Sequence, residues 1–144
     1  MRTISRSLEE TKEVAKGFFE TLKSGEKATV VALSGELGSG KTAFSQAVGS
    51  ILGVKENISS PTFVIQKIYP IDFKEFKNLI HIDAYRLDKE TELLHLGWEE
   101  IISEPENLIL IEWPERVEGI IPNDAKKISF EHLVGEARAI NYEN

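Results

Sequence analysis

The sequence contains no cysteine, so neither disulfides nor thiolate-held zinc can stabilise it, and thiol chemistry is excluded. No apolar run approaches the ~20 residues that a membrane-spanning helix requires. The opening MRTISRSLEET carries charges where a secretory leader needs an apolar stretch, so no export signal is expected and the cytosol is the expected compartment. Positive charge is also scarce: 17 Lys and Arg stand against 24 Asp and Glu, a formal net charge of −7. Proteins that grip a nucleic-acid backbone do so largely with lysines and arginines that release phosphate counterions. Direct tenure on RNA or DNA is therefore disfavoured, and any role with RNA is expected to run through a partner. The same acidic excess also serves solubility.

What is present matches one soluble globular domain spanning residues 1–144. The chain has 144 residues, of which 41% are hydrophobic and 28% charged, enough for one core and too few for a second domain of ordinary size. Ser7, three residues before Glu10, reads as a capping box that opens a helix. Its apolar positions Leu8, Val14, Ala15, Phe18, Phe19 and Leu22 follow helical spacing, and Gly25 is expected to close the segment. Ala28 to Leu33 is a nearly continuous apolar run, the pattern of a strand buried on both faces of a parallel sheet. From Lys41 to about Leu52 the period is again helical, with Phe44, Ala47, Val48 and Ile51 on one stripe and Gly53 as a stop.

Further along, Phe63 to Tyr69 and Leu79 to Asp83 are expected as strands separated by a polar surface loop that contains Pro70 and lysines. Thr91 to about Ser103 reads as one or two short helices interrupted near Gly97. LILI, from Leu108 to Ile111, is a fully buried strand that ends at Glu112 and is stopped by Pro114. Lys126 to Tyr142 reads as a closing hairpin. No internal repeat or low-complexity tract interrupts the chain.

The most specific local signal is GELGSGKT. Gly35, Gly40, Lys41 and Thr42 fill every fixed position of G-x-x-x-x-G-K-[ST], with Gly38 a further glycine inside the loop. Wrapping a phosphate in backbone N–H groups demands angles and close approach that a Cβ obstructs. Gly35, Leu37, Gly38, Ser39, Gly40, Lys41 and Thr42 are accordingly the expected ATP-binding residues. Lys41 is expected to reach the β and γ phosphates, and the Thr42 hydroxyl to ligate magnesium. The loop opens a helix, whose unpaired N–H groups and dipole add attraction for the anion. The rival reading, a plain glycine-rich turn before a helix, loses ground because the loop lies between a buried strand and an amphipathic helix.

A phosphate loop needs a second metal contact, usually a carboxylate at the end of a neighbouring buried strand. Two candidates occur. Glu112 follows LILI and either coordinates magnesium, directly or through water, or merely closes a strand at the surface. Asp83 follows NLIHI and either orients the attacking water or forms a structural polar pair with His81 on the same strand face. His81 is expected to be a hydrogen-bonded structural residue, since phosphoryl transfer relies on positioning and charge. Trp113 either stacks on a partner or nucleotide, or packs. Ser59, Ser60, Pro61, Thr62 and Phe63 form either a nucleotide-sensing turn or a plain one. Arg86 is a candidate cation near the phosphates or half of a surface ion pair.

Taken in order, GELGSGKT at Gly35, SPTF at Ser60, HIDAYRL at His81 and EWPE at Glu112 resemble the bacterial TsaE family, ATPases required to form threonylcarbamoyladenosine in tRNA. The resemblance implies a three-layer α/β sandwich of the P-loop NTPase kind with a mixed, partly parallel central sheet. It implies ATP and Mg2+ as cofactors, magnesium held by Thr42 and Glu112, and Asp83 important for turnover, so that Lys41, Asp83 and Glu112 are the expected catalytic set. It implies TsaD and TsaB as protein partners, with TsaD performing the threonylcarbamoyl transfer, tRNA met only through the complex, and no membrane. Glu36 stands where the family commonly has aspartate, and Ala43 where a second threonine is frequent; neither change removes a phosphate donor. The resemblance is weakest after Glu115. Two other functions use the same loop, a small kinase acting on a metabolite or nucleoside and a nucleotide-gated binding module.

Overall fold

The computed structural model describes residues 1–35, 41–54, 66–87 and 90–142, and of Thr42 and Arg86 the backbone alone. Among the described residues seven strands form one sheet: β1 (Arg2–Ser5), β2 (Thr29–Gly35), β3 (Gln66–Phe73), β4 (Phe76–Asp83), β5 (Asn107–Glu112), β6 (Lys126–His132) and β7 (Arg138–Tyr142). Their order is β1-β7-β6-β2-β5-β4-β3. The inner strands β6, β2, β5 and β4 run parallel, and β7, β1 and β3 are added antiparallel. The helices are α1 (Leu8–Glu20), α2 (Lys41–Leu52), α3 (Glu90–Leu94) and α4 (Trp98–Ser103), with 3-10 turns at Ala84–Arg86 and Pro114–Ile120.

Alternation along the buried strands sends side chains to two cores. Val31, Leu33, Leu79, Leu108 and Leu110 meet Phe18 and Phe19 of α1 and Phe44 and Val48 of α2 on one face. Val30, Ala32, Ile80, Ile82, Ile109 and Ile111 meet Leu93, Trp98 and Val117 on the other. Strands covered on both faces need apolar residues at every position, which is why β5 is buried throughout. The result is the three-layer α/β sandwich with a mixed sheet. Among the described residues no helix is long and apolar enough to cross a membrane.

The local signals account for most boundaries. Ser7 Oγ accepts from the Glu10 amide at 3.1 Å, and the Glu10 carboxylate accepts from the Arg6 amide at 2.6 Å, so the reciprocal cap closes one residue upstream of the N-cap amide. Gly53 (φ 80°) and Gly97 (φ 88°) adopt the left-handed conformation where α2 stops and where α3 gives way to α4. The closing hairpin of β6 and β7 is also as expected.

Three expectations are corrected, and one element is added. α1 ends at Glu20, well before Gly25, because Thr21 turns its hydroxyl back onto the Phe18 carbonyl at 2.6 Å. Leu8 is exposed rather than part of the apolar stripe of α1. The polar insert that contains Pro70 is no loop: β3 and β4 extend into it and meet at a tight turn at Lys74, whose φ is 54°. Pro70 is tolerated because β3 is an edge strand, where a missing N–H breaks no interior ladder, and the register shifts between Pro70 and Phe73. Tyr69, Ile71 and Phe76 bury against the α1 layer, while Lys74 Nζ donates to the Glu20 and Leu22 carbonyls at 2.5 and 2.7 Å, satisfying the end of α1. Finally, the opening residues form a strand, β1, paired with β7. The candidate turn Ser59 to Phe63 lies outside the described residues.

Replacing Ser7 with alanine is expected to cost about 1 kcal/mol through loss of the cap. Thermal unfolding followed by circular dichroism should show the midpoint lowered by roughly 3 °C.

Candidate functional site

The four parallel strands deliver their C-terminal ends to one edge of the sheet, and α2 begins there. β2 ends at Gly35, whose φ of 142° is a conformation that side chains rarely adopt. In the flanking strands Leu33 is opposite Glu112, and Glu112 is opposite Asp83. The two carboxylate-bearing residues therefore end adjacent strands beside the strand that enters the loop, the usual ligand-binding edge of an open α/β sheet. Lys41 and Thr42 are the first two residues of α2. Leu37, Gly38, Ser39 and Gly40 lie outside the described residues, as do the side chains of Thr42 and Arg86.

Lys41 is buried, with 4% of its surface exposed. Its Nζ donates to the Gly35 carbonyl at 2.6 Å and stands 3.4 Å from the centroid of the Trp113 ring. Burial pushes its pKa below the ordinary lysine value, while the charges of Glu112, Glu115 and Asp83 pull it back up. Trp113 leaves the end of β5 in the left-handed conformation, φ 60° and ψ 51°, and donates its backbone N–H to the Leu33 carbonyl at 3.2 Å. Its other neighbour is Tyr85, with ring centroids 5.0 Å apart, and the Arg116 guanidinium lies 5.5 Å from the Tyr85 ring.

His81 and Glu112 are both buried, and His81 Nε2 is 2.6 Å from Glu112 Oε2. His81 is thus hydrogen-bonded as expected, but its partner is not Asp83. The Asp83 carboxylate accepts from the Tyr85 amide at 3.1 Å, capping the 3-10 turn that follows β4. The contact with His81 satisfies one oxygen of a carboxylate that would otherwise be costly to bury. Among the described residues no group of three or more His, Cys, Asp or Glu side chains could hold a metal ion unaided.

A family model described as threonylcarbamoyl adenosine biosynthesis protein TsaE matches residues 5–140. The chain belongs to the TsaE family. The tRNA threonylcarbamoyladenosine biosynthesis protein TsaE of Rickettsia bellii is 36% identical over 99% of this chain and 94% of its own length. The protein of the same name in Treponema pallidum is 33% identical over 97% of this chain and 98% of its own length. Among solved structures, YdiB of Bacillus subtilis superposes with a TM-score of 0.75 at 27% identity, covering 99% of this chain and 83% of that one. Family and fold therefore agree, and membership ties the chain to tRNA threonylcarbamoyladenosine biosynthesis.

In this TsaE-family chain the structure brings Gly35, Lys41, Asp83 and Glu112 to one sheet edge. It adds three residues that local reasoning had not assigned to the lysine's surroundings: Trp113 as the face against Lys41, Tyr85 as the ring behind Trp113, and Arg116 outside Tyr85. EWPE carried the only signal for the first of these. A tryptophan at a strand end followed by Pro114, which cannot continue a ladder, marks an abrupt change of direction.

The depressed Lys41 pKa has a consequence for stability. Between the lowered folded-state pKa and the ordinary value of 10.5 the unfolded chain binds more protons at this position, so the lysine's contribution becomes more favourable as pH rises through that window. Lys41→Met, which removes the charge, is expected to raise the thermal midpoint near neutrality. The difference from the unsubstituted protein should shrink as pH approaches 10.5, and a pH series of thermal unfolding checks both parts.

Proposed function

We propose that this chain binds Mg-ATP on the loop from Gly35 to Thr42 and hydrolyses it to ADP and phosphate in support of tRNA threonylcarbamoyladenosine formation, working with TsaD and TsaB. The observation that carries the reading is the convergence of a buried lysine at the start of α2 with two carboxylate residues, Asp83 and Glu112, that end the neighbouring parallel strands. Backbone amides of Gly35, Leu37, Gly38, Ser39 and Gly40 cradle the phosphates, and Lys41 neutralises the β and γ groups.

The residues fit magnesium in particular. Magnesium is held by one or two carboxylates together with substrate phosphates and waters, rather than by a cage of protein ligands. A site with carboxylates on adjacent strand ends and no larger acidic cluster among the described residues suits that mode. Thr42 and Glu112 are the residues that would hold the ion, with His81 fixing the Glu112 carboxylate. Bound there, the ion would neutralise charge developing on the phosphoryl oxygens. Asp83 orients the attacking water. The net charge of −7 accords with tRNA being held by the partner proteins.

The reading is tested by titrating ATP calorimetrically and by reconstituting tRNA modification with TsaD and TsaB. Lys41→Ala is expected to weaken ATP binding about 100-fold, the loss of two charge-assisted hydrogen bonds of ~1.5 kcal/mol each. Omitting the chain, or supplying Lys41→Ala or Glu112→Ala, should stop multiple-turnover modification. Unchanged modification without the chain contradicts the proposal, and transfer of labelled phosphate to a small acceptor instead of water would make the chain a kinase.

A further inference from the structure

We propose that Trp113 sets the nucleotide affinity of this site by holding the Lys41 ammonium, so that a triphosphate must take the lysine away from an aromatic face. The inference rests on the ATP-binding reading above and adds a competitor built into the fold.

Lysine has three N–H donors and no acceptor. In this chain one is directed at the Gly35 carbonyl at 2.6 Å, and the indole covers the ammonium at 3.4 Å from its centroid, well inside the ~6 Å reach of a cation–π contact. Tryptophan is the strongest of the aromatic faces for a cation, and the contact strengthens when water is excluded. With 4% of its surface exposed, Lys41 has little water to replace those partners. The Gly35 carbonyl belongs to the last residue of β2, where the motif begins. The indole is different: it comes from the residue just past β5, covers the charge, and occupies space on the ammonium that a phosphate oxygen would need.

The backbone around Trp113 favours a held position over incidental packing. Left-handed angles are uncommon for a bulky side chain and persist only where the surroundings impose them. Here the Trp113 N–H is tied to the Leu33 carbonyl, Pro114 fixes the following φ, and Tyr85 backs the ring at a centroid separation of 5.0 Å. Arg116 lies against Tyr85 at 5.5 Å, and Tyr85 is 42% exposed. The lysine, indole, phenol and guanidinium thus form a continuous chain of contacts from the buried ammonium to the surface. Trp113 acts through Lys41 and is a positioning residue.

The experiment is calorimetric titration of ATP, without magnesium, into the unsubstituted protein, Trp113→Ala and Trp113→Phe, with circular dichroism to establish that each is folded. Removing the competitor should tighten ATP binding about 2- to 30-fold in Trp113→Ala, with Trp113→Phe between the two. A second measurement does not depend on removing the indole. The chain has two tryptophans, so Trp98→Phe leaves Trp113 as the sole indole emitter. Its emission should change on adding ATP, with a midpoint equal to the calorimetric Kd, and Lys41→Met should produce a comparable change without ATP. Unchanged or weaker binding in folded Trp113→Ala overturns the inference, as does Trp113 emission indifferent to both ATP and Lys41→Met. If Trp113→Ala does not fold, the fluorescence result decides. Absence of ATP binding to the unsubstituted protein even with magnesium present would instead overturn the function proposed above.

Discussion

One buried positive charge organises this molecule. Lys41 begins a helix, at the end where the helix dipole is already positive, and is enclosed by protein rather than water. An ammonium so placed is costly, and its protein partners only partly offset that cost: the Gly35 carbonyl, an indole face and the charges of nearby carboxylates. A residue held at such expense is characteristic of a site that awaits an anion. The parallel register supplies the rest, because it sets Leu33 of β2, Glu112 of β5 and Asp83 of β4 side by side at the same edge.

The sheet makes that edge rigid. β2 and β5 are covered on both faces, by the α1 and α2 layer on one side and by Trp98, Leu93 and Val117 on the other. Side chains that project from the ends of such strands have little freedom to drift. Glu112 is restrained further by His81, which reaches it across the sheet. A carboxylate with one oxygen engaged by a neighbour retains acceptor capacity on the other, the form in which protein carboxylates commonly meet a metal ion.

Much of this is legible in the amino-acid sequence, for identifiable reasons. The G-x-x-x-x-G-K-[ST] motif is a signal contained in eight consecutive residues, four of them fixed by backbone geometry, charge or a hydroxyl. Glu112 was legible because a fully buried strand announces itself as an unbroken apolar run, and Asp83 because NLIHI is a mostly apolar one; a charge directly after such a run marks its end. What escaped was whatever depended on partners distant in the chain. The His81–Glu112 contact joins residues 31 apart through strand register, which no local pattern encodes. Pro70 was misread because a proline argues against a strand unless the strand is an edge, and edge position is a property of the whole sheet. The role of Trp113 depends on left-handed backbone angles that a tryptophan by itself would not adopt. β1, four residues long, is too short for periodicity to reveal.

The central claim is that a triphosphate is gathered between Lys41 and the carboxylates that end β4 and β5. A crystal structure of the chain with ATP and magnesium tests it most directly. The account predicts the β and γ phosphates against Lys41 Nζ, the ion between them and Glu112, and the Trp113 indole withdrawn from the ammonium. Nucleotide in any other cleft, with Lys41 still covered by Trp113, would contradict it.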